Sequence, residues 1–252
     1  MCSDADIMRS AWDARAETNP LYAIDAHRRT WELEEFYSQG PAIVNRIVDP
    51  ALKILSVDPS GLRVLEVGCG MGRLFEGLSR RFAEVWGIDI SREMLEKGEE
   101  HCPVEAKWLL GDGFSLREVE SASIDHVISF EVFGHIPRLK IIRSYLGEFH
   151  RVIRPEGTFQ AQLRRRSDSA RQAIVRSLPR PGRIAIGGVL KRLGVVPAGD
   201  IDTWLGRLVA PNAALSMLRT IGFVDCKAVN ADFSGPPVVS SGYWVIGRRP
   251  AE

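Results

Sequence analysis

Val64-Leu65-Glu66-Val67-Gly68-Cys69-Gly70-Met71-Gly72-Arg73-Leu74 is the stretch that decides the fold. Val64 to Val67 is an apolar run that reads as a buried strand. Leu74, Leu78 and Phe82 recur at helical spacing and predict a helix over 73–82. Three alternating glycines lie between strand and helix, and such a turn lets a ligand approach bare backbone at a helix N-terminus. A second apolar run, 85–90, ends in Ile88-Asp89-Ile90. A carboxylate at that distance, about 20 residues on, can accept both ribose hydroxyls of a nucleoside. The segment therefore predicts a nucleoside-containing cofactor.

Charge narrows the choice of cofactor. The dinucleotide fingerprint is G-x-G-x-x-G, whereas this chain has Glu66-x-Gly68-x-Gly70-x-Gly72, with Arg73 where the third dinucleotide glycine would stand. Glu66 at the strand end would repel a phosphate and suit an ammonium group, so both residues oppose a dinucleotide oxidoreductase. S-adenosylmethionine has a nucleoside, an amino-acid tail and no phosphate. The E-x-G-x-G-x-G pattern, with Asp89 in register, resembles motif I of the class I S-adenosylmethionine-dependent methyltransferases. The likeness is to their small-molecule, ubiquinone/menaquinone-type branch and covers roughly Gly61 to Phe159.

The resemblance implies roles for particular residues. Glu66, Gly68, Gly70 and Gly72 would surround the methionine part of the cofactor, and Asp89 would bind ribose. Ile90 and Met94 would pack on adenine. Asp112, in Leu110-Gly111-Asp112-Gly113-Phe114, matches the acid that accepts from the adenine amino group, with Gly113 and Phe114 flanking the ring. Phe130 would set its backbone against the methionine moiety. In Glu131-Val132-Phe133-Gly134-His135-Ile136-Pro137, His135 stands where a histidine often lies near the methyl donor. A hydroxyl acceptor needs a base, and neutral histidine titrates in the right range. His135 is therefore the candidate base, and Glu131 a second base or substrate acceptor. His126, inside an apolar strand, reads as structural.

Outside that region the chain alternates strand and helix. Strands are expected at 64–67, 85–90, 106–110, 124–130, 158–163, 223–229 and 243–247. Ser91 caps a helix after the second strand, and Pro137 suits the start of the helix bearing Ile142, Leu146, Phe149 and Ile153. Pro155-Glu156-Gly157 turns the chain into strand 158–163. A helix over 211–221 stops at Gly222. Alternation implies a Rossmann-like α/β fold with a mostly parallel seven-stranded sheet. The last two strands, joined around Gly235-Pro236-Pro237 without a helix, imply one antiparallel strand, as in the methyltransferase sheet. One domain is expected over 1–252: a helical cover (1–57), a cofactor-binding core (58–163), an insert or lid (164–206), and a C-terminal helix and strands (207–252). The cover carries Trp12, Tyr22, Trp31 and Tyr37, of which Trp12 and Trp31 read as core packing. From Arg164 to Arg192 there are nine basic residues and one acid, Asp168. That segment could line a pocket for an anionic acceptor, lie on a membrane surface or form a dimer contact.

Composition bounds the rest. The 252 residues are 45% apolar, and the net charge of +1 gives no global field for nucleic acid or membrane. Cys2, Cys69, Cys102 and Cys226 form no C-x-x-C pair and read as free thiols in a reducing, cytoplasmic setting. No metal site is predicted, although Asp125, Glu131 and His135 lie close enough in sequence to raise a divalent ion assisting the base. No run approaches the ~20 apolar residues that span a bilayer. The expected activity is methylation of a small molecule at a hydroxyl: a sugar, a lipid-linked acceptor or a secondary metabolite. N- or C-methylation, a non-catalytic S-adenosylmethionine-binding regulator and an RNA methyltransferase are the other readings; the insert lacks the interleaved aromatics that stack RNA bases.

Overall fold

The computed structural model describes residues 4–25, 28, 30–165, 206–230 and 242–251. Five helices come first: α1 (Asp4–Thr18), α2 (Pro20–Ile24), α3 (Leu33–Ser38), α4 (Gly40–Ile47) and α5 (Asp49–Leu55). The alternation follows as β1 (Arg63–Val67), α6 (Phe75–Ser79), β2 (Glu84–Asp89), α7 (Arg92–His101), β3 (Lys107–Leu110), β4 (Ile124–Ser129), α8 (Leu139–Val152) and β5 (Ile153–Arg164). Then come α9 (Pro211–Ile221), β6 (Val224–Val229) and β7 (Gly242–Arg248). A 3-10 turn, Phe133–His135, links β4 to α8.

The seven strands form one sheet in the order β3-β2-β1-β4-β5-β7-β6. β1 pairs in parallel with β2 and β4, and β7 is antiparallel to both β5 and β6. The expected single antiparallel strand is thus β7, inserted between β5 and β6. Strand order reverses where β1 meets β4. In open sheets of this kind, ligands sit outside the carboxyl ends of the strands at such a reversal.

Each face of the sheet is covered for a reason visible in the side chains. Helix α8 presents Ile142, Leu146 and Phe149, and α9 presents Ala214 and Leu218, to one core with Val127 and Phe159. Ile43, Val44 and Ile47 of α4 and Phe75 and Leu78 of α6 fill the other, with Val64 and Val85. Burying each large side chain stabilises by roughly 1.5–3 kcal/mol. A Cβ on Gly77 would lie 2.6 Å from Val44 Cγ2, and one on Gly40 would lie 2.2 Å from the Arg73 carbonyl oxygen. Glycine at both positions lets α4 and α6 approach closely.

Local rules placed several boundaries correctly. Ser91 Oγ accepts from the Met94 N–H at 3.2 Å, and Gly222 ends α9 with φ +116°. Other boundaries moved. The helix expected over 73–82 spans only Phe75–Ser79, because the glycine turn continues to Leu74 and the Ala83 and Glu84 N–H groups must reach the Leu62 carbonyl to start β2. Pro137, expected to open the helix, lies two residues before α8; Arg138 is the extended N-cap. β5 starts at Ile153, ahead of Pro155-Glu156-Gly157. Those residues form a bulge between the Ile124–Ile153 and His126–Thr158 pairings, with Glu156 at φ 64°. The strand over 223–229 starts at Val224, that over 106–110 at Lys107, and the strand expected to reach Phe130 ends at Ser129. The Gly235-Pro236-Pro237 loop and most of the basic segment lie outside the described residues.

His126 is structural, as its setting in β4 implied. It is fully buried, its Nδ1 shares a 2.8 Å hydrogen bond with Thr158 Oγ1, and its ring stacks on Phe82. Burial pushes its pKa down to about 4. The folded state therefore holds a neutral imidazole that the unfolded chain protonates below about 6.5. This contribution to stability is present above pH 6.5 and is lost as pH falls toward 4. Relative to a His126→Gln variant, the wild type is expected to lose about 2 kcal/mol between pH 7 and pH 5. Urea unfolding at both values measures it, and a pH-independent difference refutes it.

Candidate functional site

The sequence motif, the strand reversal and the N-terminal helices converge on one cleft at the carboxyl ends of β1, β2, β3 and β4. The space between its walls is about 1060 Å³, open solvent at its mouth included. Gly68 and Gly70 line its floor with φ +79° and +55°. Gly68 could carry no side chain, since its Cβ would meet Val132 Cγ2 at 2.1 Å. Gly72 stands apart from the cavity: a Cβ there would strike Trp108 and Phe75. Its role is packing between turn, helix and sheet, so the expectation that it touches the cofactor gives way to a structural one.

Glu66 is only 4% exposed and lines the cleft; its Oε2 is enclosed without a hydrogen-bond partner. Burial lifts its pKa to about 8, with Arg73 pulling it down and Asp89 adding to the rise. Arg73, read in the sequence only as an argument against a dinucleotide, also lines the cleft. Its Nη1 donates to Asp25 Oδ2 at 2.6 Å, with both side chains nearly buried. The motif stretch already contained Arg73; no sequence signal linked it to Asp25, which lies just past α2.

Asp89 ends β2 and lines the cleft. Its Oδ2 accepts from the Gly70 N–H at 2.8 Å and its Oδ1 from the Ser91 N–H at 2.9 Å. Burial raises its pKa against the pull of these N–H groups. The carboxylate has more lone pairs than these donors use and so keeps acceptor capacity for a ligand hydroxyl. Helix α1 lies over this end: Arg9 donates to the Ile90 and Gly111 carbonyls at 3.4 Å, and Ser91 Oγ donates to Asp13 at 2.6 Å. Ile90, Met94 and Gly113 line the cleft as expected. Asp112 and Phe114 do not. The Asp112 carboxylate turns into its own loop, accepting from the Phe114 and Ser115 N–H groups and the Ser115 hydroxyl. Burial raises its pKa, but these donors outweigh that and hold it low. Phe114 is 47% exposed. An aspartate in a turn readily bonds the backbone two or three residues on, which one-dimensional matching does not weigh. Tyr145 of α8, which the sequence did not single out, also lines the cleft.

At the β4 exit, Phe130, Glu131, Val132, His135 and Ile136 form the opposite wall. Phe130 stacks on Trp244 of β7. Glu131 has φ 58° and its N–H donates to Gln162 Oε1 at 3.3 Å. A non-glycine residue in this conformation costs energy and recurs at functional sites. Trp12 meets His135 edge to face, ring centres 5.4 Å apart. Trp12 therefore lines the cleft as well as packing, which corrects its reading as core alone; Trp31 does pack, against Phe36. Cys69 is buried in the turn, and burial raises its thiol pKa. Asp125 begins β4, where it accepts from the Arg63 N–H and pairs with Arg154, at the other end of the strand from Glu131 and His135. Among the described residues no three His, Cys, Asp or Glu side chains group to hold a metal.

Residues 64–157 match the family described as "Methyltransferase domain". The ubiquinone biosynthesis O-methyltransferase of Vibrio cholerae is 27% identical over 218 residues, covering 84% of this chain and 74% of that protein. That of Ralstonia nicotianae is 25% identical, covering 95% of this chain and 89% of its own. These matches make the chain similar, over its methyltransferase domain and beyond it, to class I S-adenosylmethionine-dependent methyltransferases. Magnesium protoporphyrin IX methyltransferase from Synechocystis, solved with S-adenosylhomocysteine, shares its fold with a TM-score of 0.62 at 16% identity, covering 98% of this chain and all of that one. No helix among the methyltransferase's described residues is long and apolar enough to cross a membrane.

The cleft suits the methyltransferase's cofactor, S-adenosylmethionine. The orphaned Glu66 Oε2 lacks the donor that an ammonium group brings, and Asp89 has acceptor capacity left for ribose. The free Glu66 carboxyl, with its pKa near 8, is mostly protonated at pH 7. An ammonium beside it would ionise it. Binding of S-adenosylhomocysteine at pH 7 is therefore expected to release most of one proton, and affinity to rise from pH 6 to 8. Calorimetry in buffers of differing ionisation enthalpy reads this directly. Glu66→Gln should abolish the release; release persisting in that variant assigns the proton elsewhere.

Proposed function

We propose that this methyltransferase methylates a hydroxyl oxygen of a small, largely apolar acceptor, aromatic or lipid-linked. The observation that carries this is the β4 exit, where His135 and Glu131 face the same cleft as the cofactor residues, among Trp12, Phe130, Val132 and Ile136. Apolar walls with two proton-accepting groups suit a ring or chain bearing one hydroxyl more than a sugar. The O-methyltransferase relatives support the same chemistry.

S-adenosylmethionine supplies a methyl group on a positively charged sulfur, already a good leaving group. The protein's task is then alignment and proton removal. In this reading Glu66 holds the ammonium of the amino-acid tail, and Arg73, anchored by Asp25, holds its carboxylate. Asp89 holds the ribose hydroxyls, and Gly68 and Gly70 leave room for the tail beside bare backbone. His135 takes the acceptor's hydroxyl proton onto a ring nitrogen, and Glu131 hydrogen-bonds the acceptor. Helix α1, with Met8 and Trp12, closes the cleft against water. The free thiols of Cys69, Cys102 and Cys226 fit a reducing, cytoplasmic setting.

The test is turnover with isotopically labelled donor against hydroxylated aromatic, polyprenylated and sugar acceptors, with products identified by mass spectrometry. An O-methylated aromatic or lipid product is expected; labelled N- or C-methyl products, or none from any acceptor, would overturn the assignment. His135→Ala should lower kcat at least ~100-fold while S-adenosylhomocysteine affinity stays within about twofold. Asp89→Ala should do the reverse, weakening that affinity by more than about tenfold through two lost hydrogen bonds.

A further inference from the structure

Glu131 lines the cleft from a strained backbone. Its φ of 58° lies in the left-handed region, which a non-glycine residue keeps only where its surroundings hold it there. β4 and β5 pair in register as far as Ser129 and Ala161, whereas β5 runs on to Arg164 against β7. At the cleft, then, β5 outruns β4, and the Glu131 N–H meets a side chain of β5 in place of its backbone. It donates to Gln162 Oε1 at 3.3 Å.

Gln162 is an unusual residue for its position. It is 6% exposed on an interior strand, between Ala161 and Leu163. Burying a primary amide costs free energy that hydrogen bonds must offset, and an apolar residue would pair in β5 equally well. Its neighbours leave room for it: a Cβ on Gly242 of β7 would lie 3.2 Å from Gln162 Nε2. Trp244 of β7 stands opposite Gln162 in register and stacks on Phe130, the residue before Glu131, with ring centres 5.8 Å apart. β5 and β7 therefore grip two successive residues of the β4 exit, Phe130 by its ring and Glu131 by its N–H. Gln162 stands behind the wall and is not among the residues lining the cleft, so its route to the reaction runs through Glu131.

We propose that Gln162 is a positioning residue whose amide oxygen fixes the left-handed turn at Glu131 and so holds the Glu131 carboxylate toward the acceptor. The proposal rests on the assignment of Glu131 as the acceptor's hydrogen-bond partner.

The full chain is assayed with labelled S-adenosylmethionine and with catechol or farnesylated catechol, whichever the wild type methylates faster. Gln162→Leu, which keeps the bulk and drops the oxygen, should lower kcat/KM about tenfold and leave S-adenosylhomocysteine affinity within about twofold. Gln162→Met should behave alike, and Gln162→Glu, which keeps an acceptor oxygen, should restore most of the loss. Glu131→Ala should also cost about tenfold, and adding Gln162→Leu to it should cost nothing more. Independently of turnover, amide hydrogen exchange at Glu131 should be about tenfold faster in Gln162→Leu, with Val127 of β4 unchanged. Effects that multiply in the double variant assign Gln162 to general stability and overturn the proposal, as does an unchanged exchange rate at Glu131. Wild-type turnover in Glu131→Ala overturns the role of Glu131 itself, and that of Gln162 with it. A wild type that methylates neither acceptor overturns the acceptor reading on which both rest.

Discussion

A carboxylate buried at the end of the central strand is the constraint around which this molecule is arranged. Glu66 cannot move away from the cleft: β1 is paired on both sides, and the Gly68 N–H that follows it is bonded to the Ile88 carbonyl. Removing an ionised carboxylate from water costs several kcal/mol. The protein offsets this by leaving Glu66 protonated near neutrality and by setting Arg73 close enough to draw its pKa down. Arg73 is itself nearly buried and needs Asp25. The chain of compensation thus runs from the central strand through the glycine turn to the N-terminal helices.

Those N-terminal helices are part of the site. Met8 and Trp12 of α1 and Ala23 and Ile24 of α2 supply one wall, while Arg9 and Asp13 tie α1 to the ends of β2 and β3. Trp12 sits against His135, so the cover reaches both the cofactor end and the β4 exit. Closing a cleft in this way lowers its dielectric and strengthens each charge–charge contact inside it. The β4 exit and the helical wall that faces it are thus built from segments more than a hundred residues apart.

Much of the fold was legible because it follows local rules. The apolar strand runs, the Ser91 cap, the Gly222 stop and the unseparated last two strands each obey a short-range preference, and the seven-stranded sheet with one antiparallel member followed. The misjudged boundaries share another cause. The helix after β1 is short because the chain must return to Leu62 to begin β2, and β5 starts early because Ile153 pairs with Ile124. Both are demands of strand pairing, which periodicity does not carry. At the site, Glu66, Asp89 and Glu131 lie at or just past strand ends, and His135 in the turn that follows β4, so all four could be placed from order alone. Asp112 and Phe114 sit on a loop, where a side chain chooses between its own backbone and the cleft. Gly72 looked like its neighbours in the motif, yet Trp108, distant in sequence, decides why it is glycine.

The amino-acid sequence by itself determined the strand–glycine turn–helix unit, the acid at the end of the second strand and the carboxyl group near the end of the first. These depend on backbone freedom and on which residues follow a strand, both written locally. Tertiary structure alone decided that Arg73 pairs with Asp25, that Trp12 meets His135, that Asp112 turns away and that Tyr145 turns in. Each of those is a contact between elements brought together by packing, and the physical reason is the same throughout: a side chain's partner is set by the neighbours that the whole fold delivers, not by the residues beside it in the chain.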